Sequence, residues 1–385
     1  MRHAPRVIRG LRPCVLAALV LTACSSDSPR IDAGAAQAQH ETGDSRAGGS
    51  IPRDADAAPS ADASAATPDA SLRDAGLALD QDSVREVPGF ADRAYRLQLP
   101  GSATPTSPTP LIIVFHGGGG NAQGAPKITC PNGDESNAGC LSRLAARRGF
   151  AVAYANGTGT AVAPNTRTWN AGGGIGEWQC VSGAACMRRV DDVAYFDALL
   201  IDLKRALPVD EKRVFLTGIS NGAAMAHRLA CERASAIAAI APIAGENQFQ
   251  TSGMCVPARG VSILDIHGTA DPCWGYDGGT GACAQVDNKQ KLSVDTSIGD
   301  WVKRLGCDAA PTKASLPDTA QDGCSAGTER YSGCVDGAEV ELVRIEGGGH
   351  TWPGGFLYSK TVGPLCTDFD ADALMLDFFE AHPAP

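Results

Sequence analysis

Short apolar runs alternate with helical patterns from about residue 87 to the end of this chain, and this alternation constrains the fold most strongly. Strands of a parallel sheet are buried on both faces, so they lack the in-and-out alternation of half-exposed strands. Residues 94–99 do alternate and predict an early antiparallel strand. The runs that fit buried parallel strands are residues 111–115, 150–154, 214–216, 237–243, 261–266 and 340–345.

Helical patterns separate several of these runs. Apolar side chains recur every third or fourth position from Val193 to Leu207, which places them on one face of a helix. Residues 223–233 and 371–379 are further predicted helices. Strands that alternate with helices predict an α/β fold, with a mainly parallel central sheet flanked by helices. In such sheets the ligand site lies beyond the carboxyl ends of the strands.

The N-terminal part does not share this pattern. Residues 1–23 combine a basic start with a short apolar run, which predicts a secretory signal peptide. Leu21-Thr22-Ala23-Cys24 resembles a bacterial lipoprotein box, which implies cleavage before Cys24, lipidation of Cys24 and a membrane anchor. An ordinary signal peptide with a chance cysteine is the alternative. Residues 24–86 contain no aromatic residue and are rich in Ala, Asp, Ser and Pro, which predicts a disordered tether before one folded domain, residues 87–385.

Charge and cysteine content exclude several classes of protein. The chain carries 33 Lys and Arg against 43 Asp and Glu, a net charge of −10, and it has no basic tract that would bind nucleic acid. Its 14 cysteines include no Cys-x-x-Cys pair, which argues against zinc-ribbon and redox motifs. Paired disulfides in an oxidising compartment remain, so we expect a secreted protein of the cell envelope.

The candidate nucleophile is Ser220. Gly218-Ile219-Ser220-Asn221-Gly222 follows the predicted strand 214–216 and opens the predicted helix 223–233. A Gly-x-Ser-x-Gly turn between strand and helix lifts the serine hydroxyl above the sheet edge. The helix start directs N–H groups and a positive dipole at a developing anion. The alternative is a Gly-Ser turn that only joins strand to helix.

A glycine-rich loop supplies the candidate oxyanion donors. His116-Gly117-Gly118-Gly119-Gly120-Asn121 directly follows the strand 111–115, and its spacing does not match a phosphate-binding loop. Glycines let backbone N–H groups face a reacting oxygen without side-chain obstruction. We expect the N–H groups of Gly118 and Asn221 to stabilise a tetrahedral oxyanion, and His116 to be structural.

The candidate acid and base follow in the order that this fold expects, serine, acid, histidine. Asp271 lies in the loop after the strand 261–266, where Asp265 is a weaker acid candidate and His267 a competing base. His350 lies in a glycine-rich loop, residues 347–355, after the strand 340–345. His350 would take the proton of Ser220 while Asp271 orients the imidazole ring.

With these motifs in place, residues 87–380 resemble the polyhydroxybutyrate depolymerase and feruloyl esterase-like family of α/β-hydrolases. The resemblance rests on the segments 116–121, 218–222, 267–272 and 347–355, with additions at 190–193 and 368–371. It implies hydrolysis of carboxylic esters without metal or organic cofactor, with Ser220, Asp271 and His350 as the triad. The implied substrates are feruloyl or acetyl esters of plant polysaccharide, or short polyhydroxyalkanoate esters.

Twelve cysteines remain once Cys14 leaves with the signal and Cys24 is lipidated. Four couples are close in sequence, and the resemblance suggests a fifth, Cys307–Cys334, which leaves Cys324 with Cys366. Twelve cysteines allow many other disulfide pairings, and the sequence does not exclude them. The close couples are Cys130/Cys140, Cys180/Cys186, Cys231/Cys255 and Cys273/Cys283.

Four tryptophans fall on or near the loops expected around the site. We expect Trp169, Trp178, Trp274 and Trp352 to offer aromatic faces to a phenolic ring or a sugar, and the alternative is that they only pack these loops. Two other function classes stay open: a peptidase or thioesterase on the same fold, and a surface-binding lipoprotein without turnover. The oligomeric state stays open as well.

Overall fold

The computed structural model describes residues 82–172, 180, 183–249, 254–281, 283 and 290–385. The predicted signal peptide, nearly all of the predicted tether, Cys24 and Trp178 lie outside these described residues. Within them, no helix combines the length and the apolar character that crossing a bilayer requires.

Within the described part of the chain, ten strands form one central sheet, and two short strands pair separately. The strands are β1 (Asp82–Arg85), β2 (Tyr95–Gln98), β3 (Thr109–Phe115), β4 (Ala151–Ala155), β5 (Val209–Ile219), β6 (Ala239–Ile243), β7 (Ser262–Gly268), β8 (Gly279–Thr280), β9 (Gln290–Lys291), β10 (Thr312–Ser315), β11 (Ser325–Tyr331) and β12 (Val340–Glu346). The sheet order is β1-β2-β4-β3-β5-β6-β7-β12-β11-β10. The six inner strands from β4 to β12 are parallel. Antiparallel strands extend both edges, β1 and β2 at one and β11 and β10 at the other.

The described residues contain seven α-helices. They are α1 (Ala125–Ile128), α2 (Leu141–Arg147), α3 (Ala184–Met187), α4 (Asp192–Ala206), α5 (Asn221–Glu232), α6 (Val294–Arg304) and α7 (Ala371–Ala381). Several of these helices have a side-chain N-cap. At the start of α4, the Asp191 side chain accepts the Ala194 N–H. Ser293 caps α6 and Asp370 caps α7 in the same way.

Apolar side chains cover both faces of the sheet. On β3, Leu111, Ile113 and Phe115 belong to one buried cluster, which also takes side chains from α4, α5 and α6. The alternate residues Ile112 and Val114 belong to a second cluster, which includes side chains from α2 and α7. This three-layer arrangement explains why the central strands read as continuous apolar runs. The carboxyl ends of the parallel strands lie along the same edge of the sheet. The candidate site residues lie in the loops that follow these strand ends.

The α/β architecture expected from the sequence is confirmed. All six apolar runs are parallel strands, the alternating segment is the antiparallel strand β2, and the three predicted helices are α4, α5 and α7. The sequence patterns did not predict α6 or the antiparallel pair β10–β11. Every residue of β10 is exposed, so no apolar pattern marks that strand.

Candidate active site

Ser220 lies in a strained turn between β5 and α5. Its φ is 60° and its ψ is −121°, a conformation that L side chains rarely adopt and that is typical of functional turns. A Cβ at Gly218 would lie 2.4 Å, and at Gly222 2.1 Å, from the carbonyl oxygen of Phe115, so both positions require glycine. The Ser220 N–H donates to the carbonyl of Ile243 on the neighbouring strand β6 at 2.9 Å. The adjacent strands therefore hold this turn at the carboxyl edge of the sheet.

Asp271 and His350 meet beyond the ends of β7 and β12. The Nδ1 atom of His350 lies 2.7 Å from Oδ2 of Asp271. The other carboxylate oxygen, Oδ1, accepts the N–H groups of Cys273 and Trp274 at 2.7 and 2.8 Å. Burial opposes ionisation of Asp271, but the neighbouring His350 and His267 together lower its pKa well below the usual range. An ionised Asp271 holds the proton of His350 on Nδ1 and leaves Nε2 as the basic atom.

The loop that carries His350 is fixed by its own backbone. The His350 N–H donates to the carbonyl of Val362 at 2.6 Å, and its carbonyl accepts the hydroxyl of Tyr358 at 3.1 Å. A Cβ at Gly349 would lie 2.5 Å from the Val362 carbonyl oxygen, so this close approach requires glycine. Tyr358 is 41% exposed and thus brings an accessible aromatic ring beside His350.

The competing base, His267, occupies a different position. Its Nε2 lies 3.4 Å from the same Asp271 Oδ2, but the side chain is completely buried. Both of its nitrogens face acceptors inside the protein, the Glu246 carboxylate and the Trp274 carbonyl. His267 therefore has no open nitrogen to offer a substrate. Asp265, the weaker acid candidate, is buried beside His227 and not beside His350.

The glycine-rich loop after β3 lies against the serine turn. A Cβ at Gly117 would be 3.6 Å from Cβ of Ser220. Gly119 and Gly120 donate their N–H groups to Arg167 and Gly117, whereas the N–H of Gly118 has no acceptor among the described residues. This arrangement leaves the Gly118 N–H available to an external oxygen.

The second expected donor, Asn221, is the first residue of α5. Its N–H is one of the first-turn groups that lack an acceptor within a helix. Its side chain accepts the Trp169 N–H at 2.6 Å and donates to the Trp169 carbonyl at 3.0 Å. These two bonds fix the helix start to the loop that carries Trp169.

His116 is part of the scaffold of this loop. It donates from Nδ1 to the Gly117 carbonyl at 2.8 Å, and its Nε2 accepts the Gly157 N–H at 3.0 Å. Burial lowers the pKa of His116 to about 4, which keeps the ring neutral.

The tryptophans correct one expectation. Trp169, Trp274 and Trp352 are each at most 2% exposed, so their faces are not a surface on which a substrate ring could stack. The Trp169 indole N–H donates to the His116 carbonyl at 2.9 Å, and that of Trp352 donates to Asp372 at 2.8 Å. They pack and position the loops, which was the alternative. Trp178 lies outside the described residues.

Among the described residues, twelve cysteines form six disulfide bonds, in the couples named from the sequence. The bond Cys273–Cys283 closes a loop directly after Asp271. The Cys273 N–H also donates a hydrogen bond to the Asp271 carboxylate. Such cross-links limit the freedom of a loop beside the site. The remaining bonds are Cys130–Cys140, Cys180–Cys186, Cys231–Cys255, Cys307–Cys334 and Cys324–Cys366.

Two residues that sequence reasoning did not single out complete this region. Glu246 follows β6 and contacts His267, and Tyr358 follows His350 in the same loop. Glu246 could have been found as an acidic residue just after an apolar strand, since site residues follow strand ends in this fold. For Tyr358 the available signal is an aromatic residue close to a candidate catalytic histidine.

The parallel sheet, the strained serine turn and the aspartate–histidine pair beyond the same edge define an α/β-hydrolase. No family model matches the chain. Feruloyl esterase C of Emericella nidulans is 30% identical over 66% of this chain and 76% of that protein. A Nocardia uniformis subsp. tsuyamanensis protein named "Putative esterase NocK" is 30% identical over 70% of this chain and 74% of that protein. Feruloyl esterase B of Piromyces equi is 28% identical over 67% of this chain and 42% of that protein.

The chain belongs to the family of these esterases, and it is a carboxylic ester hydrolase. Among solved structures, an acetyl xylan esterase from Aspergillus awamori gives a TM-score of 0.49 at 14% identity. That likeness covers 77% of this chain and 99% of the other.

Proposed function

We propose that this esterase works through an acyl-enzyme on Ser220, with His350 as general base and Asp271 as its orienting acid. The observation that carries the proposal is the 2.7 Å contact between His350 Nδ1 and Asp271 Oδ2, at the sheet edge where Ser220 stands in its strained turn. A serine hydroxyl is a poor nucleophile on its own, so an adjacent base is required.

In the first half of the reaction, Ser220 Oγ attacks the ester carbonyl carbon while His350 Nε2 takes the hydroxyl proton. The carbonyl oxygen becomes an oxyanion, which the N–H groups of Gly118 and Asn221 stabilise, and each such donor is worth about 3–4 kcal/mol. Asp271 stabilises the imidazolium that forms. When the intermediate collapses, the carbon–oxygen bond to the alcohol breaks and His350 returns the proton to the leaving oxygen.

In the second half, water attacks the acyl-enzyme while His350 Nε2 takes a proton from it. The new oxyanion uses the same two N–H groups. Its collapse breaks the bond between Ser220 Oγ and the acyl carbon, and the proton on His350 returns to Ser220. The products are a carboxylic acid and an alcohol, and one water molecule is consumed.

The substrates that we propose are feruloyl or acetyl esters of plant polysaccharide, ahead of short polyhydroxyalkanoate esters. The names of two relatives, both feruloyl esterases, support this choice. Tyr358 supports it as well, because its exposed ring beside His350 can pack against a phenolic acyl group. We expect Tyr358→Ala to raise KM several-fold for methyl ferulate and to leave KM for an acetyl ester nearly unchanged. Hydrolysis of methyl ferulate, acetylated xylan and a hydroxybutyrate oligomer, measured side by side, tests the order.

We also propose that the enzyme is secreted and anchored by lipid on Cys24, with the segment before residue 87 as a tether. The sequence supports this proposal through the box Leu21-Thr22-Ala23-Cys24 and the composition of the segment that follows. Cell fractionation of the wild type and Cys24→Ala tests it. The wild type should partition into detergent with the membranes, and the variant should not; equal partitioning would contradict the anchor.

Replacement of the nucleophile tests the proposed mechanism. Ser220→Ala should lower hydrolysis of p-nitrophenyl acetate by about 10³-fold or more, because the covalent route is lost while the oxyanion donors remain. Ser315→Ala, on the exposed strand β10, is the matched control and should keep full activity. Both variants should retain the wild-type unfolding midpoint. Unchanged turnover in Ser220→Ala would refute the assignment, and faster cleavage of thioesters or peptides than of esters would favour those classes.

A further inference from the structure

Behind Asp271 lies a set of buried ionisable side chains. The proposed mechanism gives these side chains no role. We call this set the buried charge chain and define it as His267, Glu246, Asp265 and His227. All four side chains are 0% exposed. His267 Nδ1 lies 2.8 Å from Glu246 Oε1, and His227 Nε2 lies 3.3 Å from Asp265 Oδ2. Buried charges are costly unless they are paired, so their retention beside a site calls for an explanation.

The hydrogen bonds of His267 determine where its protons are. Its Nε2 lies 2.7 Å from the carbonyl oxygen of Trp274, and a carbonyl can only accept, so Nε2 carries a proton. Its Nδ1 faces the Glu246 carboxylate, which is itself buried and requires a donor. Asp271 Oδ2 lies 3.4 Å from Nε2 and adds a second negative charge beside the ring. With carboxylates near both nitrogens, the imidazolium form is the one that this environment stabilises.

We propose that His267 is a permanently protonated positioning residue, which holds Asp271 ionised and in place for His350, with Glu246 as the counter-ion of His267. The inference rests on the proposed function, because it assigns a role to the partner of Asp271 in the triad. His267 acts through Asp271 and does not touch the substrate.

The directions of the pKa shifts agree with this geometry. Burial lowers the pKa of His267, but its hydrogen bonds to Asp271 and Glu246 outweigh burial and raise the pKa well above its usual value. Burial raises the pKa of Glu246, but His267, together with His227 and Ser297, outweighs burial, so the net shift is downward. The ionisable groups around His267 include Glu246 after β6, Asp265 within β7 and Asp271 after β7. The ring centroid of Tyr276 lies 6.1 Å from that of His267 in an edge-to-face arrangement.

A metal ion is the competing explanation for part of this set. His227, Glu246 and Asp265 each offer an atom, and these atoms lie within 4.8 Å of one another. However, the Trp301 indole N–H donates to His227 Nδ1 at 3.1 Å, so the proton of a neutral His227 is on Nε2. Nε2, which lies 3.3 Å from Asp265 Oδ2, therefore carries a proton in the neutral ring and is not a free ligand. Metal binding at Nε2 would move that proton to Nδ1, where it would oppose the Trp301 N–H, so this contact disfavours a metal ligand at His227.

NMR of the unmodified protein tests the protonation directly. With ¹⁵N-labelled histidine, His267 should show two protonated ring nitrogens throughout pH 5.5–8.5, whereas a solvent-facing histidine titrates within that range. A neutral His267 ring at pH 7 would overturn the proposal. This measurement does not depend on turnover. A wrong protonation state of His267 and a wrong nucleophile, tested by Ser220→Ala, would therefore be detected in separate experiments.

Kinetics of His267→Gln test the positioning role. Loss of the partner behind a metal-binding side chain costs about 10- to 100-fold in activity. We expect a loss of similar size in kcat here, with little change in KM. Removing a cation near the His350–Asp271 pair favours protonation of His350, so the acid limb of the kcat/KM profile should move to higher pH. The control His382→Gln, at a surface histidine beside Glu339, should leave both readouts unchanged. Wild-type kinetics in His267→Gln, or a loss of kcat with an unmoved acid limb, would contradict the role.

Discussion

Two histidine–glutamate pairs of similar geometry lie in different surroundings. His267 and Glu246 are 2.8 Å apart with both side chains 0% exposed. His382 and Glu339 are 3.1 Å apart near the C-terminus, with side chains 12% and 25% exposed. Water competes for the second pair and screens it, whereas protein groups alone solvate the first. A short contact between charged groups therefore affects chemistry most where the surrounding protein keeps water away from both groups.

A third pair, His350 with Asp271, lies between these two extremes, because its ring is 5% exposed while the carboxylate is 0% exposed. It has a buried acid, as the first pair does, and a histidine that reaches the edge of the protein. The proposed mechanism needs this combination, since the base must meet substrate while its partner stays ionised and fixed.

The largest expected effect is on this third pair. Asp271→Asn should lower kcat by about 10³- to 10⁴-fold, because a neutral amide neither holds the proton on Nδ1 nor stabilises the imidazolium. Steady-state kinetics on p-nitrophenyl acetate measure the loss. Glu339→Gln, the corresponding change beside His382, is the control and should keep wild-type kcat. If Asp271→Asn lost less than about tenfold, the buried acid would not be the orienting group.

The next effect is on stability and separates the buried pair from the partly exposed pair. Glu246→Gln leaves the charge of His267 without its nearest counter-ion and should lower the free energy of unfolding by about 3–5 kcal/mol. Glu339→Gln removes a partly solvated partner and should cost no more than about 1 kcal/mol. Urea denaturation of both variants measures the two values under the same conditions. Equal losses would mean that burial does not distinguish the pairs.

The smallest effect is a change in the pH dependence of stability. Burial and the neighbouring Glu246 raise the pKa of Asp265 to about 6 in the folded protein, above its usual 3.8. Between those pH values the folded state binds more protons at Asp265 than the unfolded state, so this residue's contribution to stability falls as pH rises from about 4 to 6. Asp265→Asn should remove that contribution, which reaches at most about 1.4 kcal/mol per pH unit.

Urea unfolding at several pH values between 4 and 7 measures this slope. Relative to Asp265→Asn, the wild type should lose stability more steeply as pH rises, and Asp308→Asn on the surface should follow the wild type. Parallel curves for the wild type and Asp265→Asn would show that Asp265 ionises in the folded protein as it does in water.

The sequence predicted the features that local patterns encode. The buried strands, the glycines around Ser220 and the glycine-rich loop of His350 each depend on residues adjacent in the chain, so periodicity and turn chemistry identify them. The same patterns predicted the mainly parallel α/β sheet and placed Ser220, Asp271 and His350 after the ends of β5, β7 and β12.

Contacts between separate segments were harder to predict. Glu246 meets His267 only because β6 and β7 are neighbours in the sheet, which periodicity does not measure. The burial of Trp169 depends on its packing between His116 and Asn221, so aromatic composition near a site predicted a substrate surface where the fold uses a core residue. The exposed strand β10 carries no apolar pattern and is ordered by its partner β11.

The most direct test of the central proposal is covalent labelling of the nucleophile. A phosphonofluoridate ester reacts with a serine only where a base activates it, so one label per molecule should form and peptide mass spectrometry should locate it on Ser220. The Ser220→Ala variant should remain unlabelled, and Asp271→Asn should label far more slowly than the wild type. A label on another residue, or no labelling of an enzyme that still hydrolyses esters, would contradict the acyl-enzyme on Ser220.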